Sequence, residues 1–208
     1  MKIFPMSLGP IQANCYIISE NEKALIIDPG AEAEKIIKHL SEQDLTPAAI
    51  LLTHGHFDHI AAVNEVTKKY DLPVYAHSLE KEYFFNPKFN FSDRHGGDIV
   101  LSEAFDYHWL ECGDMLELIG LTFKIIHVPG HSLGSICFYD EERKVIFTGD
   151  TLFRGSIGRT DFLNGNMEQL HAMISKKILT LPEDTVVYPG HGVATTIEDE
   201  KLMNPFFR

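Results

Sequence analysis

His54-Gly55-His56-Phe57-Asp58-His59 follows directly on Ala48-Ala49-Ile50-Leu51-Leu52-Thr53. Residues 48–53 are a short apolar run of the kind that forms a buried strand. A strand end delivers side chains to a cleft on a rigid support. Residues two apart on an extended segment share a side, so His54 and His56 can meet one ion. Once the chain turns into the next helix, Asp58 and His59 point differently and can meet a second. Imidazole and carboxylate are the ligands that a catalytic zinc uses. A turn collects polar residues singly; three histidines and an aspartate within six positions point to a metal.

Three other apolar strands end in a glycine turn followed by a potential ligand. They are Val128-Pro129-Gly130-His131, Phe147-Thr148-Gly149-Asp150 and Tyr188-Pro189-Gly190-His191. Glycine permits the sharp bend and the close backbone approach that such a site needs. Each is weak alone, and three of one layout reinforce each other. His127 sits at a strand end, where it either orients a ligand or packs in the core. His39, His77, His95, His108 and His171 have no partner motif and read as surface or core residues. His95, beside Gly96-Gly97, joins the site only if its loop covers it.

Working outward, strands are expected at 2–5, 15–19 and 24–28, with Asp28-Pro29-Gly30 breaking the chain. A helix over 31–40 has Ile36, Ile37 and Leu40 on one face. Past the histidine motif come a helix over 60–70, a strand over 73–77 and a helix over 78–85. Residues 86–102 are irregular and read as a lid or a surface loop. Hairpin strands follow at 105–110, 115–119, 121–128, 135–139 and 145–148, where Tyr107 and Trp109 are packing residues. A helix over 166–179, a strand over 185–188 and a helix over 196–203 complete the chain. Two face-to-face sheets with helices outside satisfy this order.

The chain has 208 residues, which suits one domain spanning 1–208. Its formal charge of −12 would repel a phosphate backbone without a local basic patch. The basic pairs Lys68-Lys69 and Lys176-Lys177 fall on expected helix surfaces, so no nucleic-acid partner is expected. Bound divalent cations would offset part of the charge. No apolar run approaches the ~18 residues of a membrane helix. The opening Met1-Lys2-Ile3-Phe4-Pro5-Met6-Ser7 is too short in apolar residues for a signal peptide. A cytoplasmic protein is expected. Cys15, Cys112 and Cys137 lie far apart without a CxxC pair. They read as free thiols in a reducing compartment, each a small buried residue. The pairs Phe84-Phe85 and Phe206-Phe207 serve either a dimer patch or core and lid packing. The choice between monomer and homodimer stays open.

These segments resemble the metallo-β-lactamase superfamily. Within it, the chain is most similar to the glyoxalase II-like (hydroxyacylglutathione hydrolase-like) thioesterases. The likeness rests on Asn14-Cys15-Tyr16, Asp28-Pro29-Gly30, His127-Val128-Pro129-Gly130-His131-Ser132, Gly149-Asp150-Thr151-Leu152-Phe153, Gly158-Arg159-Thr160-Asp161-Phe162 and Asn204-Pro205-Phe206. It runs from about residue 10 to the end, and the last two elements are the most specific to the subgroup. It implies an α/β fold, a four-layer αββα sandwich with metals at one edge of the sheets. It implies that His54, His56 and His131 hold one metal, that Asp58, His59 and His191 hold the other, and that Asp150 bridges them. Zinc is the metal those ligands favour, and iron and manganese accept the same set.

The implied chemistry is thioester hydrolysis by a metal-bridging hydroxide, with Asp58 both ligand and orienter of the hydroxide proton. A small acyl-thiol such as S-lactoylglutathione is the expected substrate. Thiolate leaves readily, so no strong general acid is needed. Arg159 either contacts an anionic substrate or pairs with Asp161. The segment 192–208 is too short for the C-terminal helical domain that grips glutathione in full-length glyoxalase II, which leaves the thiol carrier open. Related readings are a mononuclear-iron persulfide dioxygenase, which shares the Gly-Arg-Thr-Asp-Phe element, and a lactonase, which shares the ligand set. The charge disfavours a nuclease of this superfamily. The want of a ligand cysteine and of a signal peptide disfavours a β-lactamase. A non-catalytic metal-binding interaction module is the reading from another class.

Overall fold

The structure is a computed structural model and describes residues 1–95 and 97–208. Gly96, in the segment expected to be a lid or loop, lies outside the described residues.

Strands β1 (Lys2–Leu8), β2 (Ala13–Glu20), β3 (Lys23–Ile27), β4 (Thr46–Leu51), β5 (Val74–His77) and β6 (Tyr107–Leu110) form one six-stranded sheet in that order. Its first three strands pair antiparallel and its last four pair parallel. The second half of the chain supplies β7 (Met115–Leu118), β8 (Leu121–His127), β9 (Ile136–Asp140), β10 (Val145–Gly149), the small hairpin β11 (Leu152–Phe153) and β12 (Ser156–Ile157), β13 (Val186–Pro189) and β14 (Thr195–Thr196). The second large sheet runs β14-β13-β10-β9-β8-β7, antiparallel except where β10 meets β13.

Strand period explains the layers. Successive side chains point to opposite faces, and both faces of the central strands are apolar. In β2, Tyr16 and Ile18 enter the core between the sheets, while Cys15 and Ile17 enter a second core. In β9, Ile136 and Phe138 face the first sheet, while Cys137 and Tyr139 face outward. The first sheet's outer face is covered by Ile36 and Leu40 of α1 (Ala33–Glu42) and by Val63 and Val66 of α3 (Val63–Tyr70). The second sheet's outer face is covered by Leu170 of α6 (Met167–Met173) and Ile197 of α7 (Ile197–Met203). The result is helix, sheet, sheet, helix, as expected.

Four local departures from the sequence reading have physical causes. The helix expected over 60–70 is split into α2 (Phe57–Ile60) and α3, because the Ala62 N–H donates to Pro29 O at 2.9 Å instead of continuing the helix ladder. The helix expected over 166–179 is α6 followed by a π-helical turn, Ile174–Ile178, which keeps Leu170, Ile174 and Ile178 buried. Within 86–102, the described residues before Gly96 form regular turns instead of a plain loop. After α4 (Lys81–Phe85) they contain α5 (Pro87–Asn90) and a 3₁₀ turn, Ser92–Arg94. The Asn90 amide ties this segment to Tyr83 O and Ile99 O at 2.8 and 2.9 Å. Cys15 and Cys137 are buried as expected, but Cys112 is exposed. It lies in the turn before β7, where Lys177 Nζ approaches its sulfur at 3.7 Å.

Phe84 is buried and stacks with Tyr107 and Trp109, so that aromatic group packs the flank of the first sheet.

Candidate metal centre

Strands β8, β10 and β13 and the segment after β4 all end at one rim of the sandwich, and each delivers candidate ligands there. His54, His56 and His131 place their ring nitrogens within 4.8 Å of one another. His131 Nε2 stands 3.2 Å from His54 Nε2. Asp58, His59 and His191 form a second such group, with His191 Nε2 at 3.2 Å and His59 Nε2 at 3.6 Å from Asp58 Oδ2. Asp150 lies between the groups. Its Oδ1 is 3.4 Å from His59 Nε2, and its Oδ2 is 3.6 Å from His131 Nε2 and 3.5 Å from His191 Nε2.

The donor set fits divalent cations on an observation independent of any likeness. His56 Nε2, His59 Nε2 and Asp150 Oδ1 are buried with no hydrogen-bond partner. A buried polar atom left unpaired costs about 1–3 kcal/mol, and one cation in each ligand group would together satisfy all three. Imidazole nitrogen and carboxylate oxygen are the donors that zinc, iron and manganese accept.

Charge is divided unevenly across the site. Burial, then the neighbouring histidines, pushes His54 and His56 well below the ordinary histidine range. Burial also lowers His131. These three rings are therefore neutral near pH 7, with lone pairs free for a metal. Burial works against charge on His59 too, but Asp58 and Asp150 outweigh it and raise its pKa well above normal. His191 is likewise pushed up to about 9, burial being overcome by Asp150 and Asp58. Burial opposes ionisation of Asp58 and Asp150, and His59 and His191 hold both below the usual carboxylate range.

A surrounding set of groups fixes the rings. Asp28, at the end of β3, accepts from Thr53 N at 2.8 Å, Thr53 Oγ1 at 2.6 Å and His59 Nδ1 at 3.0 Å. Both its oxygens are thereby used. Although Asp28 also clusters with His54 and His59, it orients the His59 ring instead of offering a free donor. His131 Nδ1 donates to Arg159 O at 2.7 Å, which leaves His131 Nε2 as the acceptor face. Asn14 and Tyr16 reach across from the first sheet to Pro189 O at 2.9 and 2.6 Å and anchor the turn before His191. This is the structural use of Asn14-Cys15-Tyr16. The sequence reading has Asp28 as part of a chain break and of the family likeness, with no role at the ligands. It missed Thr53 and Glu80, whose partners are remote or invisible to spacing.

A cleft of about 450 Å³ opens onto the centre, within the range of small-ligand sites. Ile11, Phe57, Phe91, Phe153 and Phe162 form its apolar wall, and Arg94 and Arg159 its charged rim. Both readings of Arg159 find a counterpart: it lines the cleft, and its guanidinium forms a bidentate pair with Asp161 at 2.9 and 2.8 Å. It also lies 4.5 Å from the centre of the Phe162 ring. His95 lines the cleft and stacks on Phe57. His127 stacks on His77 and meets Leu133 O at 2.8 Å, so it packs beside the site.

Comparison with known proteins agrees with this geometry. The family model described as the metallo-beta-lactamase superfamily matches residues 8–191. The chain is 44% identical to the probable metallo-hydrolase YqgX of Bacillus subtilis, covering 99% of this chain and 97% of that one. It is 40% identical to the hydroxyacylglutathione hydrolase GloC of Haemophilus influenzae, covering 99% and 98%. Among solved structures, the BLEG-1 B3 metallo-beta-lactamase superposes with a TM-score of 0.95 at 44% identity, covering 99% of each chain. TTHA1623 in a di-iron-bound form superposes at 0.87 with 41% identity, covering 98% and 99%. With an αββα sandwich and a His/Asp metal site at its rim, the chain belongs to the metallo-beta-lactamase superfamily.

Proposed function

We propose that the chain is a binuclear metal-dependent hydrolase of glyoxalase II type, which cleaves S-lactoylglutathione or a similar small acyl-thiol. The observation that carries this reading is Asp150, one carboxylate facing two separate ligand groups beside an open cleft. The 40% identity to a hydroxyacylglutathione hydrolase supports the substrate class. His54, His56 and His131 would hold one ion, Asp58, His59 and His191 the other, and Asp150 both. Two such cations, zinc by the preference of these ligands, with iron or manganese accepting the same set, would supply an activated water and polarise the acyl carbonyl.

The protein's own groups do the rest. Asp58 is held by His191 at 3.2 Å and orients the attacking water or hydroxide by accepting a hydrogen bond from it. The phenylalanine wall keeps bulk water from the acyl carbon. Arg159, at the rim, orients an anionic portion of the substrate. A thiolate leaving group needs no proton from the protein, in keeping with a cleft whose acidic groups, Asp58 and Asp150, are both candidate ligands.

A second reading is β-lactam ring opening, favoured by the likeness to BLEG-1. Metal analysis of protein purified without added metal, with hydrolysis assayed on the same sample, tests both. About two divalent ions per chain with S-lactoylglutathione turnover supports the thioesterase. Faster opening of a chromogenic β-lactam moves the assignment to the second reading. A single iron with oxygen uptake on a persulfide and no hydrolysis overturns both.

A further inference from the structure

Glu80 ends the 3₁₀ turn Ser78–Glu80 that follows β5 and is fully buried. Its Oε2 accepts the Gly55 N–H at 2.7 Å. Its Oε1 accepts the Gly134 N–H at 2.6 Å and the Ser132 hydroxyl at 2.7 Å. Gly55 lies between His54 and His56 on the first sheet's loop. Ser132 and Gly134 follow His131 on the loop joining β8 to β9 of the second sheet. One carboxylate therefore spans the two loops that carry one candidate ligand group.

The surroundings are shaped for this carboxylate. A Cβ on Gly134 would lie 2.9 Å from Glu80 Cγ and Oε1, and one on Gly55 would lie 3.1 Å from Oε2. Two positions without side chains thus leave the room that Glu80 fills. Every group it meets is a donor, so an amide cannot replace it: its NH₂ would face an N–H. Burial pushes Glu80 up to about 7 against three hydrogen bonds that lower it. Keeping an acid here costs stability, and core packing alone would be served by an apolar residue of similar size.

We infer that Glu80 is a positioning residue that sets the spacing of His54 and His56 against His131, and so tunes the affinity of that one ligand group for its metal ion. The inference rests on the metal-site reading above and concerns a residue that no metal would touch.

The test is stepwise Zn²⁺ binding to the metal-free chain by chelator competition, with ring ¹⁵N NMR showing which histidines respond. Glu80→Gln is expected to weaken one of two binding steps about tenfold to a hundredfold, as loss of an orienting partner does. His54, His56 and His131 should then respond at higher Zn²⁺ than His59 and His191. Glu200→Gln is the control. Glu200 is equally buried and takes Gly155 N, Thr195 Oγ1 and the Asn204 amide, but none of its partners belongs to the His54-His56-His131 loops. It should leave both steps within about threefold. If Glu80→Gln does not fold, Ser132→Ala removes one donor and should weaken the same step by about two- to tenfold. Two tight sites in the parent chain with an unchanged Glu80→Gln step, or equal losses in both glutamine variants, would overturn the inference alone. No Zn²⁺ binding by the parent chain would overturn the metal-site reading and the inference with it.

Discussion

Asp150 presents one oxygen to His59 and the other to His131 and His191. Asp150→Ala is therefore expected to reduce metal content from about two ions to below one after dialysis, and activity at least about a hundredfold. Retention of two tightly held ions would remove Asp150 from the bridging position. Arg159 is a separate case, because its pair with Asp161 is exposed and worth little to stability. Arg159→Ala should raise KM for an anionic thioester about tenfold with little change in kcat, and should leave KM for a neutral thioester unmoved. Equal effects on both substrates would confine Arg159 to its pairing with Asp161. Seven candidate ligands were legible because strand ends and Gly-turns repeat one local layout. Asp28 and Glu80 were not, since each acts on partners 25 or more positions away and spacing carries no trace of that.

At the scale of elements, the glycine turns show why the ligand loops have little sequence freedom. Gly149 has a φ of +49°, and a Cβ there would sit 2.2 Å from Thr53 Oγ1. That hydroxyl is already committed to Asp28 at 2.6 Å. Gly149→Ala thus meets both backbone strain and a contact that cannot give way without disturbing the Asp28–His59 pair. A loss of roughly 2–4 kcal/mol in denaturant unfolding of the metal-free chain is expected, with weaker metal binding in whatever folds. A loss under about 0.5 kcal/mol, the level of an ordinary surface substitution, would show that the turn relaxes. The central strands were legible as short apolar runs buried on both faces, and β8 by its alternation of apolar and polar residues. The two-residue strands β11, β12 and β14 are too short to show a period. The break between α2 and α3 was hidden because its cause is a carbonyl on another loop, Pro29 O.

Across the whole molecule, the rim of the sandwich gathers opposed titrating groups, and their balance sets stability without metal. His54, His56 and His131 are held below 6.5 when folded. The unfolded chain takes protons there that the folded chain refuses, so stability is lost as pH falls below about 6.5. Glu80, raised to about 7, acts the other way between about 4.5 and 7, one carboxyl against three rings. His59 and His191 are raised, the latter to about 9. Their contribution is whole below about 6.5; that of His191 is lost as pH rises through about 9 and that of His59 as pH rises through its own raised pKa. The Tm of the metal-free chain in chelator should therefore peak near pH 6.5–7 and fall on both sides. Zn²⁺ competes with the protons on His59 and His191, so its affinity rises as they leave. The Tm gain on adding Zn²⁺ should then grow from about pH 6.5 to about pH 9. Thermal unfolding in matched buffers with and without Zn²⁺ measures both curves. A gain independent of pH over that interval would mean that Zn²⁺ binds without displacing those protons, and the group of Asp58, His59 and His191 would not be a metal site.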